Sequence, residues 1–330
     1  MPEMPLPVIV LIVLALFFDF LNGFHDSSNI VATIIASRAM GGRQALMVTA
    51  IAHFIGPFLF GVAVATTIGN EVLNDSEIRL SVTMSALLAA VIWNLVTWWF
   101  GIPSSSSHAL VGGLIGAAVV ESGLGVVKMS GLWKVVIALT TSPLIGLMIG
   151  FVVMRLTLFL SRPFPPSINT FFKRSQWVTA IALALSHGTN DAQKTMGVIT
   201  MGLVSAKVIP EFHVPLWVVA LSAGAIAWGT WIGGWRLIRT IGSKFFKIRP
   251  VHGFTAQISS ASVILAAAFL GGPVSTTQVV SSAVMGVGAA ERVSKVHWGV
   301  AGQIVMAWFT TIPVAAVLSA LFALVLRNWF

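Results

Sequence analysis

Three acids stand inside long apolar runs of this chain: Asp19, Asp26 and Asp191. A carboxylate at bilayer depth costs about 3 kcal/mol or more, so it faces a cavity, an ion or a hydrogen-bonding partner. Two of the three sit in matched surroundings. Asn22-Gly23-Phe24-His25-Asp26 returns 165 residues later as His187-Gly188-Thr189-Asn190-Asp191. A second polar motif follows each copy, Pro103-Ser104-Ser105-Ser106-Ser107-His108 beginning 77 residues after Asp26 and Pro273-Val274-Ser275-Thr276-Thr277-Gln278 beginning 82 after Asp191. Two polar motifs duplicated in order within an apolar protein mark a transporter built from two repeats, whose cargo binds where the repeats meet. Asp19 has no counterpart in the second half and is as readily a structural pin as a functional group.

Each motif has its own chemistry. Gly23 and Gly188 weaken a helix, while Asn22, His25, Ser27, Ser28 and Asn29 can satisfy backbone groups where it unwinds. The expectation is a broken helix at each Asp motif, with N–H ends for anions and carbonyls for cations. The Pro-Ser/Thr motifs read as helix N-termini: proline sets the first turn, and Ser104, Ser105, Ser106 and Ser107, or Ser275, Thr276 and Thr277, cap the free N–H groups. Hydroxyls at the positive end of a helix dipole form an oxyanion site, and two such ends facing each other would hold one tetrahedral anion without an arginine. Taken singly, each motif is as readily ordinary capping as a site; the duplication argues for a shared site. Each leads into a small-residue helix (Gly112, Gly113 and Gly116; Ser281, Ser282 and Gly286) of the kind that packs closely and can be re-entrant.

Lys194 follows Asp191 by three residues and shares its helical face. Its counterpart in the first half is Asn29. The ammonium can balance Asp191, touch an anion or take the place of a bound cation. His25, His108 and His187 can change charge near neutral pH, although a neutral hydrogen-bonding role is the plainer one for each. No metal-ligand spacing stands out. Without a nucleotide-binding glycine loop, a Walker lysine or a supported nucleophile–base pair, the chain reads as no enzyme and no ATPase.

The elements that must position these groups follow from composition. Hydrophobic residues make up 57% of the 330 and charged residues 9%, against about 25% charged in soluble domains. There is no cysteine, so disulfides and thiolate metal sites are excluded. The first apolar run lacks a basic leader and is expected to stay as a membrane helix. Apolar spans are expected near 7–37, 44–66, 80–100, 103–121 and 133–160, and again near 176–205, 215–235, 253–271, 273–290 and 299–326. Five segments is an odd number, so the second repeat enters from the opposite side. The fold class is thus an all-α polytopic membrane protein of two inverted five-segment repeats, with broken or re-entrant helices at a central site. Residues 1–160 form the first repeat, 161–175 a cytoplasmic linker marked by Pro163, Pro165 and Pro166, and 176–330 the second repeat.

Charge sets the orientation. With the N-terminus outside, 13 of the 19 basic residues fall in cytoplasmic loops, among them Arg38, Arg43, Arg155, Arg162, Lys173, Arg174, Lys244, Arg249, Arg292 and Lys295. The acidic loop with Glu71, Asp75 and Glu77 falls outside. The positive-inside rule supports that orientation, and it accounts for the net charge of +9 without nucleic acid.

At these motifs the chain resembles the inorganic phosphate transporter family, whose signature is a duplicated Gly-x-Asn-Asp-x-x-Asn element. Gly188-Thr189-Asn190-Asp191-Ala192-Gln193-Lys194 fits it with Lys in the last place, and Gly23-Phe24-His25-Asp26-Ser27-Ser28-Asn29 carries His before the Asp. Together they are similar to the bacterial, proton-coupled, low-affinity branch. The resemblance implies import of inorganic phosphate across a cytoplasmic (inner) membrane by a homodimer, without a cofactor and with a divalent cation able to travel beside the anion. It implies a substrate site of Asp26, Asn29, Ser104, Ser105, Ser106, Ser107, Asp191, Lys194, Ser275, Thr276 and Thr277, with ion coupling at Asp26, His25, Asp191 and Asn190. Sulfate permeation and sodium coupling are the alternatives. Phosphate keeps a proton at neutral pH and can donate it to a carboxylate, which sulfate cannot, so the paired Asp residues favour phosphate.

Overall fold

The computed structural model describes residues 4–73, 79–102, 104–233, 248–296 and 298–327. Pro103, Asp75, Glu77 and Lys244, which entered the sequence argument, lie outside the described residues. The described elements are helical: α1 (Leu6–Ala36), α2 (Gly42–Leu59), α3 (Ala63–Thr66), α4 (Leu80–Phe100), α5 (Ser106–Ser122), α6 (Met129–Leu160), α7 (Ile168–Ser205), α8 (Leu216–Ile232), α9 (Pro250–Phe269), α10 (Thr276–Glu291) and α11 (Trp298–Leu326). Among the described residues α1, α4, α6, α9 and the Val305–Leu326 part of α11 are long and apolar enough to cross a bilayer. Helices fall near all the expected positions, but among the described residues only these five, or six if the bent pair Gly42–Leu59 and Ala63–Glu71 counts as one span, have the length and apolarity to cross. α7 starts at Ile168, however, so helix already occupies half of the stretch expected to be a joint.

The breaks lie in other places than the Asp motifs. α1 and α7 run unbroken through Asp26 and Asp191, which corrects the expectation of unwinding there. Ser27 and Ser28 donate back to the carbonyls of Phe24 and His25 at 2.9 Å, bonds that fit inside a continuous helix. The glycines serve close packing instead. A Cβ on Gly23 would lie 2.1 Å from the Ile226 carbonyl oxygen of α8, and one on Gly188 would lie 2.8 Å from that of His53 in α2. Backbones can approach so closely only where the side chain is a hydrogen atom.

The expected span at 44–66 is itself broken. α2 ends at Leu59, and the chain turns by 72° into Ala63–Glu71. Gly61 supplies the turn at φ +76°, and Gln193 of α7 satisfies the freed backbone: its amide oxygen accepts from Val64 N at 2.8 Å and its amide nitrogen donates to Gly61 O at 2.8 Å. Two further breaks precede α5 and α10, where α4 and α9 each give way near a left-handed glycine, Gly101 at φ 66° and Gly271 at φ 68°. Both Pro-Ser/Thr motifs therefore sit at the tips of helical hairpins, as their capping pattern implied.

The two halves of the chain interleave. α1 packs on α8 and α7 on α2, while α5 packs on α11 and α10 on α6. Small residues permit the second set too: Gly116 meets the Ala316 backbone and Gly286 that of Leu147. α1 and α7 are thereby held side by side at the centre.

Candidate functional site

Asp26 of α1 and Asp191 of α7 meet in the interior, with 2% and 0% of their surfaces exposed. The start of α10 lies across both. Thr277 donates to Asp26 Oδ1 at 2.8 Å; Thr276 donates to Asp191 Oδ2 at 2.9 Å and its Oγ1 lies 3.5 Å from Asp26 Oδ2. His187, one helical turn before Asp191, places Nδ1 3.3 Å from Asp191 Oδ2 and Nε2 3.9 Å from Asp26 Oδ2. His25 Nδ1 lies 3.3 Å from Asp26 Oδ1.

The residue three places after each motif Asp reaches across to the opposite half. Asn29 donates to Asp26 Oδ1 at 3.0 Å and to Thr277 Oγ1 at 3.1 Å. Lys194 pairs with Asp191 and donates to Ser107 Oγ at 2.6 Å and to the Val274 carbonyl at 2.9 Å. Thr277 and Ser107 hold the same place in their motifs, so the two contacts are reciprocal. The N-terminal turns of α5 and α10 also touch directly: Ser107 donates to Val274 O at 3.0 Å, and Gln278 Nε2 lies 3.3 Å from His108 Nδ1.

Of the residues named from sequence, Asp26, Asn29, His25, Ser107, Asp191, Lys194, Thr276 and Thr277 thus share one cluster. Ser106 adjoins it through Asn22, donating to its Oδ1 at 2.7 Å. Asn190 binds the Gly272 carbonyl at 3.2 Å beside the hairpin tip. The other hydroxyls are turned to local tasks. Ser105 and Ser275 accept from the backbone of His108 and Gln278 as helix caps, and Ser104 donates to Thr97 Oγ1 at 2.7 Å. Asp19 is fully buried beside Thr195 and within electrostatic reach of Asp191 and Lys194.

Two residues noted in sequence were not placed in the site set. His187 was legible as the i−4 neighbour of Asp191, but its approach to Asp26 is tertiary. Asp26, His187 and Asp191 each bring a ligand atom within 4.8 Å of the others, a set no linear spacing announced. Asn22 belongs to the first motif, yet its link to α5 depends on the hairpin.

Chemically, the cluster offers two carboxylates that accept a proton or hydrogen bond, hydroxyls that donate or accept, and two helix N-termini carrying partial positive charge. Comparison with known proteins decides what such a cluster belongs to. The model of the "Phosphate transporter family" matches residues 22–319. The chain belongs to the phosphate transporter family. Members similar to it include the "Probable low-affinity inorganic phosphate transporter" of Rhizobium meliloti, 46% identical over 96% of this chain and 95% of the relative. The protein of that name from Bacillus subtilis is 41% identical over 98% of both chains. A solved structure, "The sodium-dependent phosphate transporter", superposes with a TM-score of 0.88 at 26% identity, covering 98% of this chain and all of that one. Both Asp motifs and both hairpin tips fall inside the stretch matched by the family model.

Proposed function

We propose that the protein imports inorganic phosphate by secondary active transport coupled to protons, with the anion held between Asp26, Asp191 and the starts of α5 and α10. The observation that carries this reading is the α10 N-terminus lying across both carboxylates through Thr276 and Thr277. Hydrogen phosphate matches that mixture: its O–H groups donate to carboxylates, and its charged oxygens accept from hydroxyls and helix-start N–H groups. Sulfate has no proton to give a carboxylate and fits less well. Asn29, Ser106, Ser107 and Lys194 complete the binding set, with Ser104, Ser105 and Ser275 shaping the helix starts that present it.

Proton coupling rests on the cluster of Asp26, Asp191 and His25, joined by His187: Asp26 and the histidines exchange the proton, Asp191 stays paired with Lys194, and Asn190 steadies the α10 hairpin tip. The solved relative is sodium-dependent by name, which supports a second reading, sodium coupling. Lys194 counts against it, since two unit charges at 4 Å repel by roughly 4 kcal/mol at an effective dielectric of about 20. A divalent cation travelling with the anion would find its ligands in Asp26, His187 and Asp191. The reciprocal Asn29–Thr277 and Lys194–Ser107 contacts support inverted repeats. The charge distribution supports a cytoplasmic membrane with the N-terminus outside, and the broad apolar faces of α6 and α11 suit a homodimer in lipid.

Uptake of labelled phosphate and sulfate into proteoliposomes under imposed proton or sodium gradients tests this. Phosphate should accumulate with an inward proton gradient and be indifferent to replacing sodium by potassium. Sulfate uptake equal to phosphate uptake, or strict dependence on sodium, would overturn the reading.

A further inference from the structure

Lys194 is 1% exposed and among the largest fully buried side chains of the described protein. Its ammonium is held by three kinds of oxygen from three segments: the Asp191 carboxylate of α7, the Ser107 hydroxyl of α5 at 2.6 Å and the Val274 carbonyl of the α9–α10 tip at 2.9 Å. A carboxylate, a hydroxyl and a backbone carbonyl freed at a helix break are the hard oxygen donors that transporters present to a small mobile cation. Asn29, the reciprocal residue, brings a neutral amide to Asp26 and Thr277. The two halves of one site therefore differ in charge by one unit at matching positions.

We propose that Lys194 is a built-in counter-cation that fills the oxygen cage of Asp191, Ser107 and Val274, so that the protein carries one mobile coupling cation fewer than it would with a neutral residue there. A tethered ammonium cannot leave with the cargo. The Asp191 half stays compensated throughout the cycle, and the Asp26 half, edged by His25, His187, Asn29 and Thr277, is where a mobile proton or cation binds and leaves. Lys194 thus sets the ion requirement of the transport reaction without being carried. This rests on the reading that the paired aspartates line the transport path, but it has a test apart from transport.

The Lys194→Asn variant copies the first half and opens the cage. Purified in sodium buffer, it should be stabilised against heat by sodium chloride relative to choline chloride at equal ionic strength, while the wild-type protein should not respond. In proteoliposomes the variant's phosphate exchange should be about tenfold faster in sodium than in choline, within the range usual for linked sites. Lys194→Gln carries the same expectation and serves if the first variant is not recovered. A Lys194→Asn protein as indifferent to sodium as the wild type would overturn the proposal. So would a wild-type protein already stabilised by sodium, or failure to recover either variant in sodium buffer, since a mobile cation then cannot replace the ammonium. Sodium stabilisation of the variant without phosphate transport by the wild type would leave the cage assignment standing and remove the transport reading instead.

Discussion

Asp26→Asn and Asp191→Asn should both abolish phosphate uptake, but they should differ in stability, and the difference can be worked from their neighbours. Asp191 is the carboxylate partner of Lys194, whose ammonium is buried and keeps only the neutral Ser107 hydroxyl and Val274 carbonyl if the charge is removed. Removing one partner of a buried pair strands the other and costs about 3–5 kcal/mol. Among the described residues Asp26 faces no fixed cation. It receives Thr277 at 2.8 Å and Asn29 at 3.0 Å and has His25 and His187 nearby. Asparagine keeps one acceptor oxygen, so that variant loses little more than one hydrogen bond to a charged group, about 1.5–3 kcal/mol. The Asp191 variant should therefore be the less stable by about 2 kcal/mol. Thermal melting of the purified variants, with labelled phosphate uptake alongside, reads both quantities. The double variant Asp191→Asn/Lys194→Met, which removes both charges, should regain most of the lost stability without regaining uptake. The reasoning fails if the two single variants melt together, if the double variant is worse than Asp191→Asn alone, or if either single variant transports normally.

His187→Gln keeps volume and polarity but cannot take up a proton between the two carboxylates. It should bind phosphate yet lose much of the rise in uptake produced by an inward proton gradient, and an unchanged pH profile would remove His187 from the coupling set. Because the chain has no cysteine, a cysteine at Lys207 should react with an impermeant thiol reagent outside intact cells while one at Arg43 should not; the opposite pattern would reverse the orientation.

How much could be read from sequence differs from feature to feature, for physical reasons. The Asp pair and the hairpin tips were legible because each breaks an apolar background twice, in order, at similar spacing. The caps at Ser105 and Ser275 were legible because capping is local. Helix continuity at Gly23 and Gly188 was not, since a glycine that permits unwinding and one that admits a neighbouring backbone look alike in sequence. The partners that decide, Ile226 and His53, lie far along the chain. The break after Leu59 escaped because Gly61 is flanked by Phe60 and Val62, which hydropathy reads as a continuous span; the stabilising Gln193 is over a hundred residues away. The small-residue faces of α5 and α10 anticipated close packing correctly, but not that their partners would be α11 and α6 from the other half.

The asymmetry between Asn29 and Lys194 bears on which contacts can part. If cargo binds between Asp26 and Asp191 as proposed, it must displace the start of α10 from at least one of the helices it bridges. Toward α7 the tip is held by Lys194 on Val274 and by Thr276 on Asp191, both bonds with a charged partner. Toward α1 it is held by Thr277 on Asp26, again charge-assisted, by the long 3.5 Å approach of Thr276 to Asp26, and by the neutral Asn29–Thr277 bond. Charge-assisted bonds contribute about 1.5–3 kcal/mol each and neutral ones about 0.5–1.5. The α10 tip is therefore bound more firmly to α7 than to α1, and opening along the α1 boundary costs less. That boundary also carries His25 and one edge of His187, the groups able to change charge. Protonation of Asp26 would weaken its bond from Thr277 while leaving Lys194 and Asp191 paired, so under the proposed proton coupling the proton would loosen the α1 side of the tip.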